Sequence, residues 1–137
     1  MDLILTLTID QPIYSKARPR VTTRGTFMPK SYQDKRKAML EAIKSQYQGP
    51  PLEGPLRVEI DVWGEGRSDT DNIAGALFDC ANKILWVDDR VKIIPELSVR
   101  WCKAKKDDSR WVIRVYQLEF QDMLKCNETL LDLLDDC

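Results

Sequence analysis

The 137-residue chain is 43% apolar and 31% charged with a net charge of −1, the profile of one globular domain around a single core. No apolar run approaches the roughly 20 residues that cross a bilayer, and the opening "MDLILTLTID" places an acid where a secretory signal has basic residues. Histidine is absent, and the four cysteines (Cys80, Cys102, Cys126, Cys137) lie far apart without a C-x-x-C. This composition argues against zinc sites, Ser-His or Cys-His nucleophiles and membrane insertion, and favours a reduced, cytoplasmic protein.

The charge is unevenly placed. Residues 15–47 hold nine Lys/Arg against Asp34 and Glu41, whereas residues 119–137 hold six acids against Lys125, so the remainder of the chain carries +4. A basic body with an acidic tail points to an anionic partner such as nucleic acid.

In chain order, residues 3–9 alternate Leu3, Leu5, Leu7 and Ile9 on one face, which predicts a strand. Residues 11–30 turn to Pro, Gly, Arg and Lys, with a hairpin expected at Arg24-Gly25. "SYQDKRKAMLEAIKSQYQG" predicts a helix with a capping box at Ser31 and Asp34 and an apolar stripe of Ala38, Met39, Ala42 and Ile43. Residues 56–63 alternate again, with Leu56, Val58, Ile60 and Val62 inward and charged residues outward. A second helix is expected over 72–85. Two strands follow in "VKIIPELSVRW" and "RWVIRVYQLEF", joined by a turn at Asp107-Asp108-Ser109, with Pro95 marking an edge or a bulge. The tail 119–137 forms an acidic amphipathic helix or stays loose. The fold class is α+β, one domain ordered β-α-β-α-β-β, with two helices packed on a mixed sheet.

The chemistry concentrates in "GRSDTDNIAGALFDCANKILWVDDR", where Asp69 and Asp71 precede the second helix and Asp88 and Asp89 follow it. In an extended segment, residues two apart share a face, so Asp69 and Asp71 would aim at one point. The bland alternatives are that Asp71 or Asn72 caps the helix and that Asp88-Asp89 is a solvated turn. The helix alone would hold the acid pairs roughly 20 Å apart. They meet only if the chain returns as a strand beside residues 56–63. Converging carboxylates would require a hard cation, Mg²⁺ or Mn²⁺. Beside them, "SKARPRVTTRGTFMPK" offers Lys16, Arg18, Arg20, Arg24 and Lys30 to phosphates, with Tyr14, Phe27 and Tyr32 available to stack on bases. Trp63, Trp86, Trp101 and Trp111 read as core or interface.

"KARPR", Tyr32 at the start of the first helix, "DTDN", "FDCAN" and "WVDDRV" together resemble the RusA-type Holliday junction resolvases over residues 1–118. The resemblance implies a homodimeric α+β nuclease that cuts a four-way DNA junction with paired nicks and depends on Mg²⁺. By resemblance, Asp69, Asp71 and Asp89 are the catalytic metal-binding aspartates and Asp88 is the adjacent acid. The family usually carries a lysine four residues after the second aspartate, where this chain has Gly75; Lys83 or Lys92 would have to supply that charge. Two other readings stand beside the nuclease: a module that binds branched DNA without cutting it, and a protein-interaction domain working through the acidic tail.

Overall fold

A computed structural model describes residues 1–17, 20–119 and 121–123. Strand β1 (Asp2–Ile9) leads into a hairpin of β2 (Arg20–Thr22) and β3 (Gly25–Phe27), then helix α1 (Lys30–Gln46), strand β4 (Leu56–Gly64), helix α2 (Thr70–Ala81), strand β5 (Glu96–Lys103), a 3₁₀ turn (Lys106–Asp108) and strand β6 (Arg110–Gln117). The main sheet runs β1-β6-β4-β5, with β4 and β5 parallel and the other neighbours antiparallel. The expected order therefore holds, with the hairpin inserted. Pro95 does precede an edge strand.

One face of the sheet carries the core. Leu7 and Ile9 of β1, Val58, Ile60 and Val62 of β4, and Trp111, Ile113 and Val115 of β6 are buried against Met39 and Ile43 of α1 and Ile73, Ala76, Leu77 and Cys80 of α2. Gln46 ties the end of α1 to β1, its side chain donating to the Thr8 carbonyl (2.7 Å) and accepting the Thr8 N–H (3.1 Å). In β1 the alternation breaks at a register shift between Leu3 and Leu5, which leaves Leu3 53% exposed.

The opposite face is polar but not simply solvated. Register places Arg57, Glu59 and Asp61 of β4 beside Glu96 and Arg100 of β5 and Arg114 and Tyr116 of β6. Asp61 is buried and accepts from both Arg100 (2.8 Å) and Arg114 (2.8 Å). Strand alternation alone had put this aspartate in water; cross-strand pairing covers it with two arginines.

Helix boundaries differ from those expected. Pro29 occupies the N-cap of α1, so Ser31 lies inside the helix and the Ser31/Asp34 capping box does not form. Helix α2 starts at Thr70 and ends at Ala81, because Lys83 adopts a left-handed backbone (φ 71°) that breaks the apolar run. Residue 120 and residues 124–137, most of the expected acidic tail 119–137, lie outside the described residues.

Candidate active site and nucleic-acid interface

Asp69 is the N-cap residue of α2, where its carbonyl accepts the Ile73 N–H (3.0 Å). Its carboxylate makes no cap hydrogen bond; it lies 3.5 Å from the Asn72 side-chain amide. Asp71 is exposed in the first turn of α2. The two acids therefore flank a helix start, rather than sharing one face of an extended segment, and neither Asp71 nor Asn72 is the cap. The partial positive charge of the helix N-terminus favours both carboxylates there.

Asp88 and Asp89 are placed elsewhere. The chain does return from α2 as a strand beside β4, but both acids come before that strand. The segment carrying them runs beside the start of β4: Leu52 N–H donates to Leu85 O (2.8 Å), Val87 N–H to Leu52 O (3.0 Å), and Leu56 N–H to Ile93 O (2.8 Å). Asp69 follows the other end of β4. Eight residue steps from Leu56 to Gly64 separate the ends by about 26 Å. A parallel β-α-β crossover imposes this, since the chain must go back to the start of the first strand before the second begins. Accordingly, among the described residues no three His, Cys, Asp or Glu side chains gather where they could hold one metal ion. Asp88 accepts from the Arg90 backbone N–H (2.9 Å) and its Nε (2.8 Å), and these bonds hold its carboxyl below the usual carboxylate range. Asp89 is exposed.

Lys83 and Lys92 lie with Asp88 at the far end of β4, so neither substitutes for a lysine at position 75 beside Asp69 and Asp71. Lys16 is the cation at that place. Its N–H donates to the Asn72 carbonyl (2.9 Å), which clamps the N-terminal loop onto the first turn of α2, and its stem runs over Gly75.

A cleft of about 300 Å³ opens between this loop, the start of α1 and the loop before α2, lined among others by Ser15, Ser31, Ser68, Pro29 and Lys35. Ser15 adjoins Lys16, Ser31 adjoins Lys30, and Ser68 adjoins Asp69. Residues far apart in sequence thus line one polar cleft, with Lys35 as the charged residue in its wall. Lys35 and the serines were missed in the sequence; Ser31 read as a cap, and Ser68 carried no signal beyond its place next to Asp69. Arg24 lies in the turn between β2 and β3, and Arg20 on β2. Arg18 lies outside the described residues, as does the side chain of Phe27.

The two tyrosines expected to meet bases do not. Tyr14 and Tyr32 are 3% and 5% exposed and pack on each other with ring centroids 5.9 Å apart. Burial, then bonding to Cys80, pushes the Tyr14 hydroxyl far above its ordinary range. Burial and the bond it donates to Asp79 (2.7 Å) raise that of Tyr32 as well. Arg36 completes this link between the helices, its Nε donating to Asp79 (2.9 Å). Burial likewise raises the Cys80 thiol, which rules it out as a ready nucleophile. Of the tryptophans, Trp86 and Trp111 are core and Arg110 stacks over Trp63 at 4.3 Å, but Trp101 is 47% exposed.

No helix among the described residues is long and apolar enough to cross a membrane. No curated protein matches the chain. The family model of the endodeoxyribonuclease RusA matches residues 10–116, a stretch that spans β4, α2 and β5 with all four aspartates and the basic loop. The chain belongs to the RusA endodeoxyribonuclease family.

Proposed function

We propose that this protein is a Mg²⁺-dependent endodeoxyribonuclease that resolves four-way DNA junctions by paired nicks, in recombination and repair, in the cytoplasm. The observation that carries this reading is the polar cleft lined by Ser15, Ser31, Ser68 and Lys35, next in sequence to Lys16, Lys30 and Asp69, in a chain of this family. Lys16, Arg18, Arg20, Arg24 and Lys30 would hold the DNA backbone, supplying affinity without sequence information.

One chain by itself does not fit the metal, because Asp69 and Asp71 stand at one end of β4 and Asp88 and Asp89 at the other. Two chains related by a two-fold axis would resolve the conflict. The partner's Asp89 would join Asp69 and Asp71, with Arg90 keeping Asp88 engaged beside it. The same symmetry suits a substrate that needs two related cuts. Bound at such a site, Mg²⁺ or Mn²⁺ would activate a water and stabilise charge on the scissile phosphate.

The separation of the acids within one chain also favours a second reading, a module that binds branched DNA without cutting it. Incubation with a labelled four-way junction and a matched duplex, each with and without Mg²⁺, decides between them. Nicking only of the junction and only with Mg²⁺ supports the nuclease. Tight junction binding without nicks at any metal concentration supports the binding module.

A further inference from the structure

Trp101 is a large aromatic side chain on an edge strand, 47% exposed, yet its position is closely constrained. Its indole N–H donates to the Gly64 carbonyl (3.1 Å). Its six-membered ring packs so tightly on the Gly66 backbone that a Cβ there would stand 2.9 Å from the ring. Register puts Trp101 opposite Val62, at the end of β4 that leads to Asp69. The ring forms part of a cleft of about 180 Å³ with Ser68, Thr70, Ile73 and Val99, so the residues on both sides of Asp69 share a wall with it. It also borders a second, more open cleft with Glu65, Arg67 and Lys103, where the 91% exposed Arg67 side chain lies 3.9 Å from the Glu65 carboxylate and Lys103 adds a further positive charge.

We propose that Trp101 is a base-stacking residue, which holds a nucleobase drawn out of the duplex beside the phosphate to be cut. The proposal rests on the nuclease reading and names a part of the substrate that the acids and the basic loop do not touch. Stacking on an aromatic face tolerates any base, and a ring already fixed by a hydrogen bond and a backbone contact loses little freedom when a base lands on it. Flanking cations suit the phosphates on either side of that base. They suit an apolar partner surface poorly, because charged residues are depleted at interface cores. The other exposed apolar residue on this face of β5, Leu97, lies four residues away, about 13 Å along the strand.

The test uses a four-way junction carrying 2-aminopurine at each nucleotide next to the nick, bound in Ca²⁺ and cut in Mg²⁺. Wild type should change the 2-aminopurine signal at one position. Trp101→Ala should lose that change and slow single-turnover nicking roughly 5- to 100-fold. Trp101→Phe should restore most of both, and Trp101→Leu should not. Thermal melts of all three variants confirm that each is folded. Wild-type signal and nicking in Trp101→Ala would overturn the stacking role while leaving the nuclease reading intact. A fall in oligomer mass for Trp101→Ala, with the signal retained, would assign the ring to a subunit interface instead. A wild-type protein that neither binds nor cuts the junction would overturn the stacking role and the nuclease reading together.

Discussion

The side chain of Lys16 lies across Gly75. A Cβ at Gly75 would stand 3.3 Å from Lys16 Cδ, slightly tighter than ordinary van der Waals contact, and 3.4 Å from its Cβ. Glycine in a helix interior costs about 0.5–1 kcal/mol relative to alanine, and here that cost gives the lysine a seat one turn above Asp71. The chain that lacks a lysine at position 75 thus brings one from the N-terminal loop.

Gly75→Lys is therefore expected to displace Lys16 rather than add a second cation, and to leave single-turnover nicking near the wild-type rate. In wild type, Lys16→Ala should slow nicking, and in the Gly75→Lys background the same change should matter less. A double-mutant cycle measures this coupling. Equal losses in the two backgrounds would show that the residues act independently.

Asp71→Asn should abolish nicking and keep, or tighten, junction binding, because the change removes a proposed metal ligand and a charge that repels phosphate. Asp89→Asn should behave alike. If each site draws on both subunits, mixing the two inactive variants creates heterodimers with one intact site. Nicking should then reappear, as single nicks rather than paired ones. A mixture as inactive as its components would place all the acids of a site in one chain.

Replacing both Arg18 and Arg20 by Ala should weaken junction binding and flatten its salt dependence by about one unit of slope per lost phosphate contact. Titration at several salt concentrations gives the slope. An unchanged slope would remove this loop from the interface.

Asp61→Asn should lower stability by about 2 kcal/mol, because it leaves the half-buried Arg114 without a counter-charge. Burial opposes ionisation of Asp61, but the bonds and charges of Arg100 and Arg114 outweigh it and hold the carboxyl below its ordinary range. A depressed carboxyl stabilises the fold fully above the unfolded-state value, about 3.9, and the benefit fades as pH falls through the folded-state value. Urea midpoints of wild type and variant should differ at pH 7, and the gap should narrow as the pH falls below about 3.9. A gap that stays constant would mean that ionised Asp61 is not its source.

The sequence by itself determined the element order and the family, because these rest on local patterns. Period-two runs make strands, an apolar stripe makes α1, and D-T-D-N with W-V-D-D-R-V carries the resemblance. It misjudged what depends on neighbours distant in sequence. Tyr32 reads as an exposed aromatic beside a basic loop until Asp79 of α2 takes its hydroxyl. Asp61 reads as solvated until two other strands bring arginines over it. Trp101 reads as core or interface until β5 falls at the sheet edge and leaves its ring 47% exposed. Above all, spacing along the chain could not tell which acids meet. The parallel pairing of β4 with β5 decides that, since a crossover helix returns the chain to the start of β4 and leaves Asp89 a strand's length from Asp69. Strand direction is a property of the assembled sheet, fixed by packing both helices on one face, and no local stretch of residues encodes it.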